Sequence, residues 1–227
     1  MNLLSTNKLG ALSLVVGPTL AFIMFVIQPG GILIDSVPGS DAQGLIAVWQ
    51  ANEFLVKVTS GLIMVGLLLM TFGIYEVHVA HRGSRGDGLN MAGLAAVSLG
   101  VVAWLMTHSL TLTLASPSVP QEAWTATYVI RTSLLLSGGV GVSLGILVFA
   151  LSVLIDSRGT AFNILTGLAA LAGLVGMIGW LVAICDASSM DEATTVARGM
   201  YIIYVVWLIA LGIRLAKEEG RNDAPAS

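Results

Sequence analysis

Six apolar runs, near residues 9–28, 53–79, 89–114, 123–155, 161–184 and 193–215, take up most of this chain. Each is long enough to cross a hydrocarbon core, which takes about 20 residues of helix. Too little charge remains to wrap six such segments in a water-soluble surface. Charged residues make up 10% of the 227, where soluble domains carry roughly 25%. Hydrophobic residues make up 56%, and the mean hydropathy is +0.91. In lipid, backbone donors and acceptors must be satisfied within the segment, so runs of this length read as helices. The expected fold is all-α: a polytopic six-transmembrane-helix bundle over residues 1–216, followed by a polar tail at 217–227.

The basic residues orient the bundle. Lys8, Arg82, Arg85, Arg158, Arg214, Lys217 and Arg221 fall on one side of the alternating spans. Lys57, Arg131 and Arg198 fall toward the other, inside helices rather than in loops. Basic loops stay in the cytoplasm, so both termini and the tail are expected there, in a cell (inner) membrane. The opposite loops are acidic, with Asp35, Asp41, Glu53, Glu122, Asp186, Asp191 and Glu192. Lys8 precedes an apolar run longer than the roughly 7–15 residues of a secretory h-region, and no small-x-small site follows. The first helix is therefore expected to be retained. The net charge of −3, with scattered Lys and Arg, gives no sign of a nucleic-acid partner.

Local signals punctuate the chain. Pro18 removes a donor from the first helix and predicts a kink; Pro29-Gly30-Gly31 ends that helix. A long connection follows, holding a short amphipathic piece from Ala42 to Gln50, with Trp49 expected at the membrane interface. The Gly83–Gly88 stretch reads as a tight turn. Ser118-Val119-Pro120-Gln121 and Ser189-Met190-Asp191-Glu192 have capping-box spacing ahead of the fourth and sixth runs. The odd runs share Gly-Ala-Leu starts at Gly10, Gly93 and Gly167, which suggests three helical-hairpin pseudo-repeats. Small residues at helical spacing (Ser13, Gly17, Ala21; Ala92, Ala96, Gly100; Ser137, Gly141, Gly145) predict close helix contacts. The GxxxG of Gly141 and Gly145 fits helix contacts within the chain, and also a homo-oligomer or a membrane protein partner.

The chemistry-bearing residues cluster toward the acidic-loop side. A charge at a helix centre costs about 2.5–3.5 kcal/mol to insert, so Lys57, Arg131 and Arg198 require partners or a wet cavity. Glu53 stands four residues before Lys57, and Asp191 seven before Arg198, so each acid shares a face with its base. Tyr128 and Tyr201 flank Arg131 and Arg198 at three residues. With His108 and Thr107 these side chains predict an outward-facing vestibule for a small polar or anionic ligand. The competing expectation is that the bases snorkel to the headgroups and pair with loop acids. For His108 a hydrogen-bonded structural role is the simpler expectation.

No catalytic template fits. HExxH, CxxC, Walker and dinucleotide signatures are all missing from the sequence, and its one GxSxG string, at 141–145, lies inside an apolar run rather than at a strand-to-helix turn, so neither enzyme activity nor a cofactor is expected. His78 and His81 share a face but have no further ligand beside them, and no metal site is expected. Cys185 is the lone cysteine. In its Gly-rich first helix, long first outward loop and Gly-Ala-Leu helix starts, the chain resembles a broad group of bacterial six-helix integral membrane proteins of unknown function. That resemblance implies a fold and no activity. Two functions remain: binding or transport through the vestibule, or a non-catalytic membrane subunit or assembly factor with a filled centre.

Overall fold

The computed structural model describes residues 6–156 and 159–222, and among them the only strand-like feature is a lone bridge between Pro29 and Ile34. The described helices are α1 (Thr6–Ile27), α2 (Ala42–Ala51), α3 (Glu53–Ala80), α4 (Asp87–Ala115), α5 (Trp124–Asp156), α6 (Thr160–Cys185) and α7 (Met190–Asn222). All but α2 are long and apolar enough to cross a membrane. The fold is thus all-α with six candidate spans. The helix α7 continues to Asn222, well into the stretch expected as a tail. Arg158, the Arg221 side chain and residues 223–227 lie outside the described residues.

The six long helices form a ring in chain order: α1 packs on α3, each next helix on the last, and α7 closes back on α1. The α3–α4 and α5–α6 turns therefore share one end of the ring, which carries the basic residues. The α1–α3 connection and the α4–α5 and α6–α7 turns share the other, acidic end. At the basic end Ser84 Oγ donates to Asp156 Oδ2 at 2.6 Å, tying one turn to the foot of α5. At the acidic end Ser40 Oγ donates to Asp191 Oδ2 at 2.7 Å, tying the first connection to the start of α7.

Small residues set the spacing of the ring, because apolar side chains gain little by leaving lipid for one another. A Cβ at Gly17 would sit 2.5 Å from Met70 N on α3, and one at Gly100 would sit 2.5 Å from Val142 N on α5. Seven residues earlier, Gly10 meets Glu76 and Gly93 meets Phe149, so the first two hairpins share one construction. The third differs. Gly167 faces open space, while α6 approaches α5 through Gly173 and α7 through Gly179. Gly141 and Gly145 lie against Gly100 and Val97, so the GxxxG stripe is used within the chain.

One local expectation is corrected. Neither capping box forms: Ser118 Oγ pairs with Ser116 Oγ at 2.8 Å, and Ser189 Oγ donates to Asp186 Oδ2 at 2.7 Å. Short 3-10 turns at Gln121–Ala123 and Ala187–Ser189 lead into α5 and α7 and redirect both hydroxyls. Helix α1 runs without a break through Pro18.

Candidate functional site

The two ends of the ring are filled differently. Toward the basic end, Leu14, Ile74, Phe149, Trp207 and Leu208 are fully buried together. The Phe149 and Trp207 rings meet edge-on at 6.1 Å, and Trp207 Nε1 donates to Thr166 Oγ1 at 3.2 Å. Above this core Tyr204 OH bonds Ser143 Oγ at 3.2 Å and Ala172 O at 3.1 Å, joining α7, α5 and α6. Tyr204 is the floor of a cavity of about 450 Å³ that occupies the acidic-end half. Every described helix contributes to its wall, as does the connection after α1.

Arg131 and Arg198 reach this cavity, together with His108, Thr107, Tyr128 and Tyr201. Arg131 is seated by its surroundings. Its guanidinium lies 4.8 Å from the Trp49 ring centroid and 5.8 Å from that of Tyr128, and Nε donates to Thr111 Oγ1 at 3.0 Å. A guanidinium has five N–H donors, so four are left with no protein acceptor among the described residues. Arg198 lies over Phe25 at 5.5 Å and makes no hydrogen bond there. No Asp or Glu lines the cavity, and among the described residues neither arginine has a carboxylate within ion-pair distance. Two cations therefore share this space with no carboxylate among its walls.

Further donors and acceptors stand idle nearby. His108 Nδ1, Thr132 Oγ1 and Tyr201 OH are shielded side-chain atoms that have no hydrogen-bond partner, and all three residues line the cavity. Among the described residues no hydrogen bond of the kind expected for His108 reaches its Nδ1. Buried polar atoms are paired in the large majority of cases, and these three lie around one space.

A segment of chain covers the cavity at the acidic end. Gln28 Nε2 donates to Ser60 Oγ at 2.8 Å, Trp49 Nε1 to Pro29 O at 3.0 Å, and Tyr128 OH to Gly39 O at 2.5 Å. Gly30 has φ +78° and carries Leu45 and Trp49 against it, a position that a side chain would block. Trp49 is only 3% exposed. It was expected to meet headgroups. It instead turns inward because its indole N–H finds the carbonyl that Pro29 presents.

Three residues expected in the vestibule stand apart from it. Lys57 Nζ donates to Glu53 Oε1 at 2.6 Å on the outside of α3, and neither residue lines the cavity. The i,i+4 spacing that put the acid on the same face also satisfied the base locally. Asp191 binds Ser40 rather than Arg198. The snorkelling expectation thus describes Lys57, while Arg131 and Arg198 turn inward.

The cavity also has walls that the sequence did not single out: Gln28, Thr132, Trp180, and Trp104, whose Nε1 donates to Leu135 O at 3.1 Å. Phe22, Trp104 and Tyr204 surround Tyr201 at 6.0–6.3 Å between ring centroids. The signal that could have found Trp104 is its one-turn spacing from His108. His78 and His81 lie at the basic end: His78 Nδ1 is 3.7 Å from Asp87 Oδ1, and His81 Nδ1 is 2.9 Å from Val77 O. Among the described residues no three metal-binding side chains come together.

The chain is a multi-pass membrane protein, hollow toward one end and filled toward the other. Comparison with protein-family models, curated proteins and solved structures returned no match. The resemblance to bacterial six-helix proteins therefore rests on hydropathy and loop order alone.

Proposed function

We propose that this protein binds a small anionic ligand in a vestibule facing away from the cytoplasm, in the inner cell membrane, with both termini cytoplasmic. The observation that carries this reading is the pair of arginines, Arg131 and Arg198, set in one cavity with no acid among its walls. A buried charge without a partner is expensive and is retained where it does work. Tyr128, His108 and Tyr201 complete the ligand shell, and Asp191 holds the covering segment rather than the ligand. The filled half is the barrier that a transport step would have to open.

The test is thermal unfolding of the purified protein in phosphatidylcholine nanodiscs against phosphate, sulfate, acetate and dodecanoate. At least one of these anions should raise Tm with dose in the wild type and leave the Arg131→Met/Arg198→Met double variant unmoved. If no anion raises Tm, or if both proteins respond alike, the anion site is refuted and a membrane subunit without a ligand is the better reading.

A further inference from the structure

We infer that the ligand is a single-chain or single-ring amphiphilic anion. Its carboxylate or phosphate head sits between Arg131 and Arg198, and its apolar body rests on the aromatic floor below them. The inference deepens the anion-site reading and depends on it.

The walls are layered. Arg131 is seven residues into α5 and Arg198 eight into α7, so at about 1.5 Å per residue both lie roughly 10–12 Å below the helix starts. His108 and Thr132, with their unpartnered Nδ1 and Oγ1, belong to this level, and Tyr201, whose hydroxyl is also unpartnered, follows Arg198 by three residues on α7. These groups and the two guanidiniums offer a head group several donors at once. A planar guanidinium fork suits the oxygens of a carboxylate or phosphate.

Farther along the same helices the walls become apolar: Leu135 and Leu136 on α5, Ile202 on α7, Ile63 and Leu67 on α3, and Trp104 on α4. A bare inorganic anion would use the upper layer and leave the lower one empty or unfavourably wet, since apolar cavities of this kind stay dry. An apolar body fills it, and the flat faces of Phe22, Trp104 and Tyr201 give it large contact area. The cavity of about 450 Å³ lies in the lower part of the 300–1,000 Å³ range of sites for molecules with about drug-sized bulk. It has room for one chain or ring system. Head toward the loops and body toward the membrane centre is also how such a molecule lies in the adjoining leaflet, so it can arrive from lipid or from water.

The experiment follows quenching of the cavity tryptophans Trp49, Trp104 and Trp180 in phosphatidylcholine nanodiscs. The probes are dodecanoate, 2-naphthoate, acetate, inorganic phosphate and the uncharged dodecanol. Dodecanoate or 2-naphthoate should bind at least tenfold more tightly than acetate or phosphate, and dodecanol should not saturate. Arg131→Met and Arg198→Met should each weaken dodecanoate at least tenfold. Arg198 makes no hydrogen bond to the described residues, so its variant carries the test if Arg131→Met does not fold. Ile63→Phe, which narrows the apolar layer, should weaken dodecanoate and leave acetate unchanged. Acetate or phosphate binding as tightly as dodecanoate overturns the amphiphile and leaves the anion site standing. Dodecanol binding like dodecanoate, or no effect of either arginine, overturns both. Affinity that tracks the mole fraction of dodecanoate in the bilayer assigns the leaflet as the source; affinity that tracks its aqueous concentration assigns water. Either result supports the proposal.

Discussion

The two hairpins α1–α3 and α4–α5 are built alike, yet each is filled at one end and open at the other. Toward the basic end, Gly10 and Gly93 bring helix against helix, and Phe149, Trp207 and Leu14 close the centre. Toward the acidic end the same helices surround a cavity that two arginines share. The difference is one of side-chain chemistry more than of backbone. Where the ring is filled, its large side chains complement one another and Tyr204 seals the boundary. Where it is hollow, the inward groups are cations and orphaned polar atoms that cannot satisfy one another. A bundle gains stability from the first arrangement; the second is the one on which the proposed anion site depends.

The largest expected effect breaks the filled half. A Cβ at Gly93 would lie 2.7 Å from Phe149 N, so Gly93→Val forces two backbones apart. Over-filling costs about 1–3 kcal/mol and sometimes more; the expected outcome is the upper end of that range, read as loss of monodisperse protein and a lower Tm. Next, Phe149→Ala should cost more than Leu136→Ala in the same unfolding measurement. The first opens a new void, while the second enlarges an existing one. Both should fall below the about 3–5 kcal/mol of a Phe→Ala change in a water-soluble core, because lipid and not water is the reference. Equal losses at the two sites would mean that the halves do not differ in filling.

Arg198→Met should act in the opposite direction. It removes a charge held without an ion pair or a hydrogen bond among the described residues, and should raise Tm in ligand-free nanodiscs by about 1 kcal/mol equivalent. A fall in Tm would assign Arg198 to the framework of the bundle. The smallest effect is expected at Lys57, which is exposed and paired within its own helix. Lys57→Met should change stability by less than about 0.5 kcal/mol and leave anion binding intact.

Some of the site was legible beforehand. Arg131, Arg198, His108, Tyr128 and Tyr201 were picked out because charged and polar groups are rare in apolar helices, and all five line the cavity. Lys57 met the same criterion and points elsewhere. The sequence places Glu53 within reach of Lys57 but says nothing of which face of α3 meets lipid. Trp49 illustrates the converse: an aromatic beside a polar loop reads as an interfacial anchor, and only the position of Pro29 O shows that it turns inward. The capping hydroxyls of Ser118 and Ser189 were redirected by 3-10 turns that the spacing does not encode.

By itself the sequence determined that this chain forms six helices apolar enough to cross a membrane, where they begin and end to within a few residues save for the far end of α7, and which end carries the basic loops. Those properties follow from local hydropathy and backbone hydrogen bonding, which neighbouring helices scarcely alter. Only the tertiary structure decided that the helices close in a ring, that the ring is filled at one end, and that two of the three helix-borne bases face inward. Rotation of a helix about its axis is set by contacts between backbones at Gly17, Gly100 and Gly173. Hydropathy that is nearly uniform around a helix cannot record which of its sides makes them.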